Sequence, residues 1–128
     1  MNGEVLFPQA EAFLAQLLPQ KEGMVGALLV SPDGLLIAHQ LPPSDHLEKI
    51  AAMSAALHAL GKEIGTTLVL GEYRVLRVHF HRGEIYLISA GAGTLVVIAS
   101  SELAPAFLET LAQQAAQQFA ANAAAMAS

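Results

Sequence analysis

The sequence predicts an α+β fold within the broad α/β class: a sandwich in the order α-β-β-α-β-β-β-α, with one five-stranded antiparallel sheet and helices on both faces. Three observations predict it. In three stretches apolar residues recur at spacings of three and four, the period of an amphipathic helix. Between them lie short apolar or alternating runs bounded by Gly, Pro and Asp, as strands are. No strand-helix-strand unit recurs regularly, which argues against a doubly wound parallel sheet.

In chain order, Pro8 suits a first helical position, and Ala10, Phe13, Leu14, Leu17 and Leu18 make an apolar stripe that ends at Pro19. Met24 to Val30, MVGALLV, is a continuous apolar run too short for an ordinary helix, so it reads as a strand covered on both faces. Ser31-Pro32-Asp33-Gly34 supplies a turn with Gly where a positive φ is needed, and Leu35 to Gln40 returns antiparallel. Leu41-Pro42-Pro43 ends the hairpin. Tyr73 to Phe80, Glu84 to Ala90 and Thr94 to Ala99 follow as a meander, turned at Arg82-Gly83 and Gly91-Ala92-Gly93. Ser101 is placed to cap a last helix running to about Ala121, with Leu108, Leu111, Ala112, Ala115 and Phe119 on its buried side.

The stretch Ser44 to Gly65 organises the rest. Asp45 and Glu48 stand at capping-box spacing, and Leu47, Ile50, Ala51, Ser54, Leu57, Gly61 and Ile64 trace one face, expected to be core. Ala52, Met53, Ala56, Ala59 and Leu60 are apolar as well, and charge is confined to the ends at His46, Lys49, Lys62 and Glu63. A helix without a polar middle is buried on two sides. In a chain of 128 residues the second side is expected to be another protein.

Composition agrees. Hydrophobic residues make up 54% and charged residues 13%, against about a quarter charged in ordinary soluble domains, so much surface is hidden in an assembly or at a membrane. The longest apolar run, Met24 to Val30, is far short of the roughly 20 residues a spanning helix needs, so no membrane insertion is expected. Met1 to Phe7 carries Glu4 and no basic residue, which is unlike a secretory leader. With no cysteine, disulfides and thiolate zinc sites are excluded, and a cytoplasmic location is expected. A net charge of −5 with only 6 Lys and Arg makes nucleic acid a poor partner. The chain reads as a single domain over 1–128, with a core from about 8 to 121 and an alanine-rich tail that frays from Asn122.

Candidate chemistry is sparse. His79 and His81 share one side of a strand end, but two imidazoles make an incomplete metal site, and none is assigned. No serine stands in Gly-x-Ser-x-Gly, and Gly91-Ala92-Gly93 is followed by a strand instead of a phosphate-holding helix. No catalytic residue and no cofactor are assigned. A hydrolase would require converging titratable groups, and a small-molecule sensor of profilin-like architecture would require an apolar cavity inside the monomer.

The hairpin Gly26-Ala-Leu-Leu-Val-Ser-Pro-Asp-Gly-Leu-Leu-Ile-Ala38, with the meander core Gly83-Glu-Ile-Tyr-Leu87 and Leu95-Val-Val-Ile98, resembles the Roadblock family. That family includes the dynein light chains of that name and the bacterial gliding regulator MglB. The likeness runs from about Phe13 to Phe119 and implies a profilin/longin-like fold. It also implies a non-enzymatic homodimer, joined by the first meander strand through Tyr73, Val75, Arg77 and His79 and by the middle helices through Ala59. The paired helices would present a platform to a Ras-like small GTPase. Contacts there would centre on Met53 and Leu60 with Ala52 and Ala56, and with Lys49 at the rim. Such a dimer would act as a scaffold or as a GTPase-activating protein. Where members near MglB often carry Asn-Leu-Gly…Arg at the last helix, this chain has Ser101 to Pro105 followed by Glu109.

Overall fold

Two short hydrogen bonds at Ser31 fold the first hairpin. The Ser31 N–H donates to the Leu35 carbonyl at 2.9 Å, and the Ser31 hydroxyl oxygen accepts from the Leu35 N–H at 3.0 Å, while Gly34 takes φ +86°. The computed structural model describes residues 8–17, 23–41, 45–90 and 93–127. The elements are α1 (Pro8–Leu17), β1 (Met24–Val30), β2 (Leu36–Gln40), α2 (Leu47–Thr67), β3 (Val75–Phe80), β4 (Gly83–Ser89), β5 (Thr94–Ala99) and α3 (Pro105–Ala127). The expected features at Leu18 and Pro19, at Pro42, Pro43 and Ser44, and at Gly91 and Ala92 lie outside the described residues.

The sheet runs β2-β1-β5-β4-β3, antiparallel throughout, so β2 and β3 are its edges. Strand residues alternate between two cores. Ala27, Leu29, Tyr86, Ile88, Leu95 and Val97 pack under α1 and α3 against Leu14, Leu111 and Ala115. Leu28, Val30, Leu87 and Val96 pack on the other face against Ala51 of α2. β1 is therefore buried on both faces, and its run of apolar residues follows from that.

Four local features differ from the sequence reading. α2 begins at Leu47 with His46 as N-cap and no side-chain capping bond, so Glu48 falls one place too early to close a box with Asp45; it acts instead as first-turn negative charge. The helix passes Gly65 and ends at Thr67, closed by N–H groups of Leu70 and Gly71 that both donate to the Gly65 carbonyl, at 2.8 and 3.3 Å. α3 begins at Pro105, well after Ser101, because the Leu103 N–H is held by the Tyr86 hydroxyl at 2.9 Å and the segment lies on the sheet. α3 also continues through Asn122 to Ala127, where alanine's high helix propensity sustains the last turns.

The core face of α2 is made mostly of small side chains. Ala51, Ser54, His58, Gly61 and Gly65 are buried, and a Cβ at Gly61 would stand 2.9 Å from Leu76 and the Tyr73 ring. A Cβ at Gly65 would collide with the Gly71 carbonyl oxygen. Gly65→Ala raises helix propensity by about 1 kcal/mol but forces that backbone apart, an overpacking cost of about 1–3 kcal/mol. A net loss of about 1–2 kcal/mol is expected in urea unfolding, and a smaller one for Gly61→Ala, whose neighbours are flexible side-chain ends.

Candidate functional site

Because its buried face is narrow, α2 leaves large apolar residues outside. Met53, Leu57, Leu60 and Ile64 are 52%, 38%, 60% and 54% exposed, and their spacing of four, three and four makes one continuous stripe. Leu57 and Ile64, expected in the core, belong to this outer stripe, and His58 takes a buried place instead. At 100° per residue the stripe lies about a quarter turn from the buried face. On one side of that face Ala52 and Ala55 meet Gly34 at the β1–β2 turn; on the other, Gly61 meets Tyr73 and Leu76. The stripe continues round on the second side, toward edge strand β3. Leu68, Val69 and Leu70 extend the exposed apolar surface beyond the helix end.

Lys49, Ala52, Ala56 and Ala59 are exposed on the outer surface of α2, away from the stripe's centre. The structure thus separates residues that the sequence reading joined, with Met53 and Leu60 on the β3 flank and Ala52, Ala56 and Lys49 on top, and it places Ala59, expected at the dimer seam, on top with them. Tyr73 precedes β3 and turns toward α2, where its hydroxyl lies 2.6 Å from His58 Nδ1 and its ring meets the His58 ring edge-on. Val75, Arg77 and His79 lie on the edge strand itself, exposed.

Arg74 and Arg77 are committed to the other side of the sheet. Arg77 grips Glu84 with two hydrogen bonds, Nε to Oε1 and Nη2 to Oε2 at 2.9 Å, and Glu102 stands 3.7 Å away. Hydrogen bonding from Arg77 holds the Glu84 carboxyl below its ordinary range. Arg74 donates to Glu109 of α3 at 2.7 Å. His79 Nδ1 lies 3.4 Å from Glu84, which draws it into a charge cluster, and among the described residues no three His, Cys, Asp or Glu side chains gather as a metal site. No helix among them is long and apolar enough to cross a membrane.

Residues 11–100 match the Roadblock/LC7 domain. The chain belongs to that family. The protein MJ1340 of Methanocaldococcus jannaschii is 28% identical over 89 residues, 70% of this chain and 78% of its own. Among solved structures, the Roadblock/LC7 domain from Streptomyces avermitilis superimposes with a TM-score of 0.75 at 23% identity, covering 84% of this chain and 91% of that one. An MglB with tetrameric arrangement gives 0.72 at 22%, covering 91% and 92%. These similarities establish the Roadblock fold for the arrangement described above.

Within this Roadblock chain the His58–Tyr73 contact pins the buried face of α2 to the segment leading into β3. Burial, with Lys62 one turn on, holds the His58 pKa below its ordinary value of 6.5, against a smaller opposing influence from Glu72. The unfolded chain therefore binds this proton more readily than the folded one, so stability falls as pH drops through and below about 6.5. Glu84 acts in the same direction but only near and below the ordinary carboxylate range, so the two windows separate. His58→Gln should flatten the dependence of the unfolding midpoint between about pH 7.5 and 5.5, measured at one protein concentration because assembly shifts apparent stability.

Proposed function

We propose that this chain is a homodimeric, non-enzymatic regulator or scaffold that binds a Ras-like small GTPase. One observation carries the reading: the large apolar stripe of α2 and the unpaired edge β3 lie on the same side of the molecule. A second copy related by a two-fold axis covers both at once, because β3 pairs with its symmetry mate and the two stripes meet beside it. Membership of the Roadblock/LC7 family and the tetrameric arrangement of a solved MglB support self-association. The paired helices then present Lys49, Ala52, Ala56 and Ala59 outward as a platform of small side chains, to which another protein can come close.

Binding to such a fixed surface should depend on nucleotide, since the γ-phosphate orders a GTPase's switch loops and the two orderings differ in shape. Should hydrolysis be stimulated, the arginines of this chain stand away from the α2 platform: Arg74 and Arg77 are engaged on the α3 side of the sheet, and Arg82 lies in the turn between β3 and β4. Stimulation would act by repositioning the GTPase's own residues.

Leu60→Glu places a charge in a dry seam and should raise the dimer dissociation constant at least about 100-fold, roughly 2.7 kcal/mol. Sedimentation at tens of micromolar, about ordinary assay concentration, should show wild-type dimer and variant monomer. Ala56→Arg should instead leave the dimer intact and abolish nucleotide-dependent capture of a purified Ras-like GTPase. In single-turnover hydrolysis, Arg74→Ala and Arg77→Ala dimers should fall by less than tenfold, whereas loss of a finger costs about a thousandfold or more. A wild-type monomer, or an Ala56→Arg dimer that binds normally, contradicts the reading.

A further inference from the structure

The backbone of β3 has a centre. The Ser89 N–H donates to the Arg74 carbonyl at 3.1 Å, and the register with β4 runs from Val75 opposite Ile88 to Phe80 opposite Gly83. Antiparallel alternation therefore turns the polar groups of Leu76, Val78 and Phe80 toward β4, and those of Val75, Arg77 and His79 toward the free edge. A two-fold axis through Arg77 uses all three outward residues: Val75 meets the partner's His79, and Arg77 meets the partner's Arg77. An axis at Leu76 or Val78 leaves one of the three without a match from the same run.

That centred register opposes two arginines on one face of the new sheet, with Cβ atoms about 5 Å apart, where like charges repel. Arg77 is nevertheless already satisfied within its own protomer. Glu84 is 5% exposed, sits one strand in from the edge on that face, and takes both Arg77 hydrogen bonds, with Glu102 beside it. An edge arginine that pointed freely outward would deter pairing; this one is held back over β4.

We propose that Glu84 is the positioning residue that lets β3 pair with itself, the two-fold passing through Arg77 so that a Glu84–Arg77–Arg77–Glu84 array crosses the seam. This rests on the homodimer reading and adds to it the register and the residue that permits that register. Arg77 holds the Glu84 carboxyl below its ordinary range, so the compensating charge persists at neutral pH.

The chain has no cysteine, so introduced thiols report the register directly. In the centred register Val75 and the partner's His79 form a hydrogen-bonded pair with Cα atoms about 5.5 Å apart, within disulfide reach, whereas each residue is about 13 Å from its own symmetry mate. Val75→Cys and His79→Cys proteins, oxidised separately, should remain uncrosslinked; mixed and re-equilibrated before oxidation, they should give a disulfide-linked dimer. Glu84→Gln keeps the side-chain shape and should weaken wild-type dimerisation at least tenfold by sedimentation. Arg77→Gln/Glu84→Gln, which removes both charges, should return to within threefold of wild type. A wild-type dimer whose mixed cysteine variants fail to crosslink overturns the register alone and leaves the dimer standing. A Glu84→Gln dimer as tight as wild type, or a double variant as weak as the single one, overturns the role of Glu84. A wild-type monomer removes both the inference and the homodimer reading.

Discussion

The close seating of α2 on the sheet is the constraint from which the interaction surface follows. Ala51 seats the helix on β1, β4 and β5, and Gly61 and Gly65 bring it so near Leu76, Tyr73 and the Gly71 backbone that a side chain added at either glycine meets them. Met53, Leu57, Leu60 and Ile64 are consequently displaced to the flank, where one protomer offers them no cover. An exposed row of four large apolar residues along about three turns of helix is costly unless a partner removes it from water, at about 25 cal/mol per Å² of apolar surface. The same seating fixes Tyr73 against His58 and so sets where β3 begins, with Val75, Arg77 and His79 at the open edge.

The two sheet edges are treated differently. β2 lies beneath α1, which packs on it and also touches α3. β3 carries Arg77 and His79, residues that commonly guard an edge, yet both lean inward on Glu84. The Arg77 end of this pair stays open to solvent, which limits what the pair adds to monomer stability. Its effect lies in direction: it turns a repulsive edge into a self-complementary one, next to an apolar stripe that needs covering. Edge and stripe therefore act together, and loss of either should loosen the other.

The order of all eight elements was legible in the sequence. MVGALLV announced a strand covered on both faces, Ser31-Pro32-Asp33-Gly34 announced its turn, and Leu108, Leu111, Ala115 and Phe119 marked the buried face of α3. The orientation of α2 was not legible, because an apolar wheel without a polar face gives periodicity no reference. Size was the missing signal. Large residues read as core, but tertiary contact with Tyr73 and Leu76 selected the small ones and drew His58 in with them. The Arg77–Glu84 grip joins residues on neighbouring strands, and only the β3–β4 register reveals it. The Ser101 cap failed for a similar reason, since the Tyr86 hydroxyl reaches Leu103 from across the sheet.

The central claim is that the outward backbone groups of β3 are paired with a second copy of this chain. Amide hydrogen exchange resolved at single residues, on either side of the concentration at which the assembly dissociates, tests it most directly. The account predicts slow exchange at Val75, Arg77 and His79 when concentrated and fast exchange when dilute, while Leu76 and Val78, bonded to β4, stay protected throughout. Fast exchange at Val75, Arg77 and His79 at every concentration would contradict it.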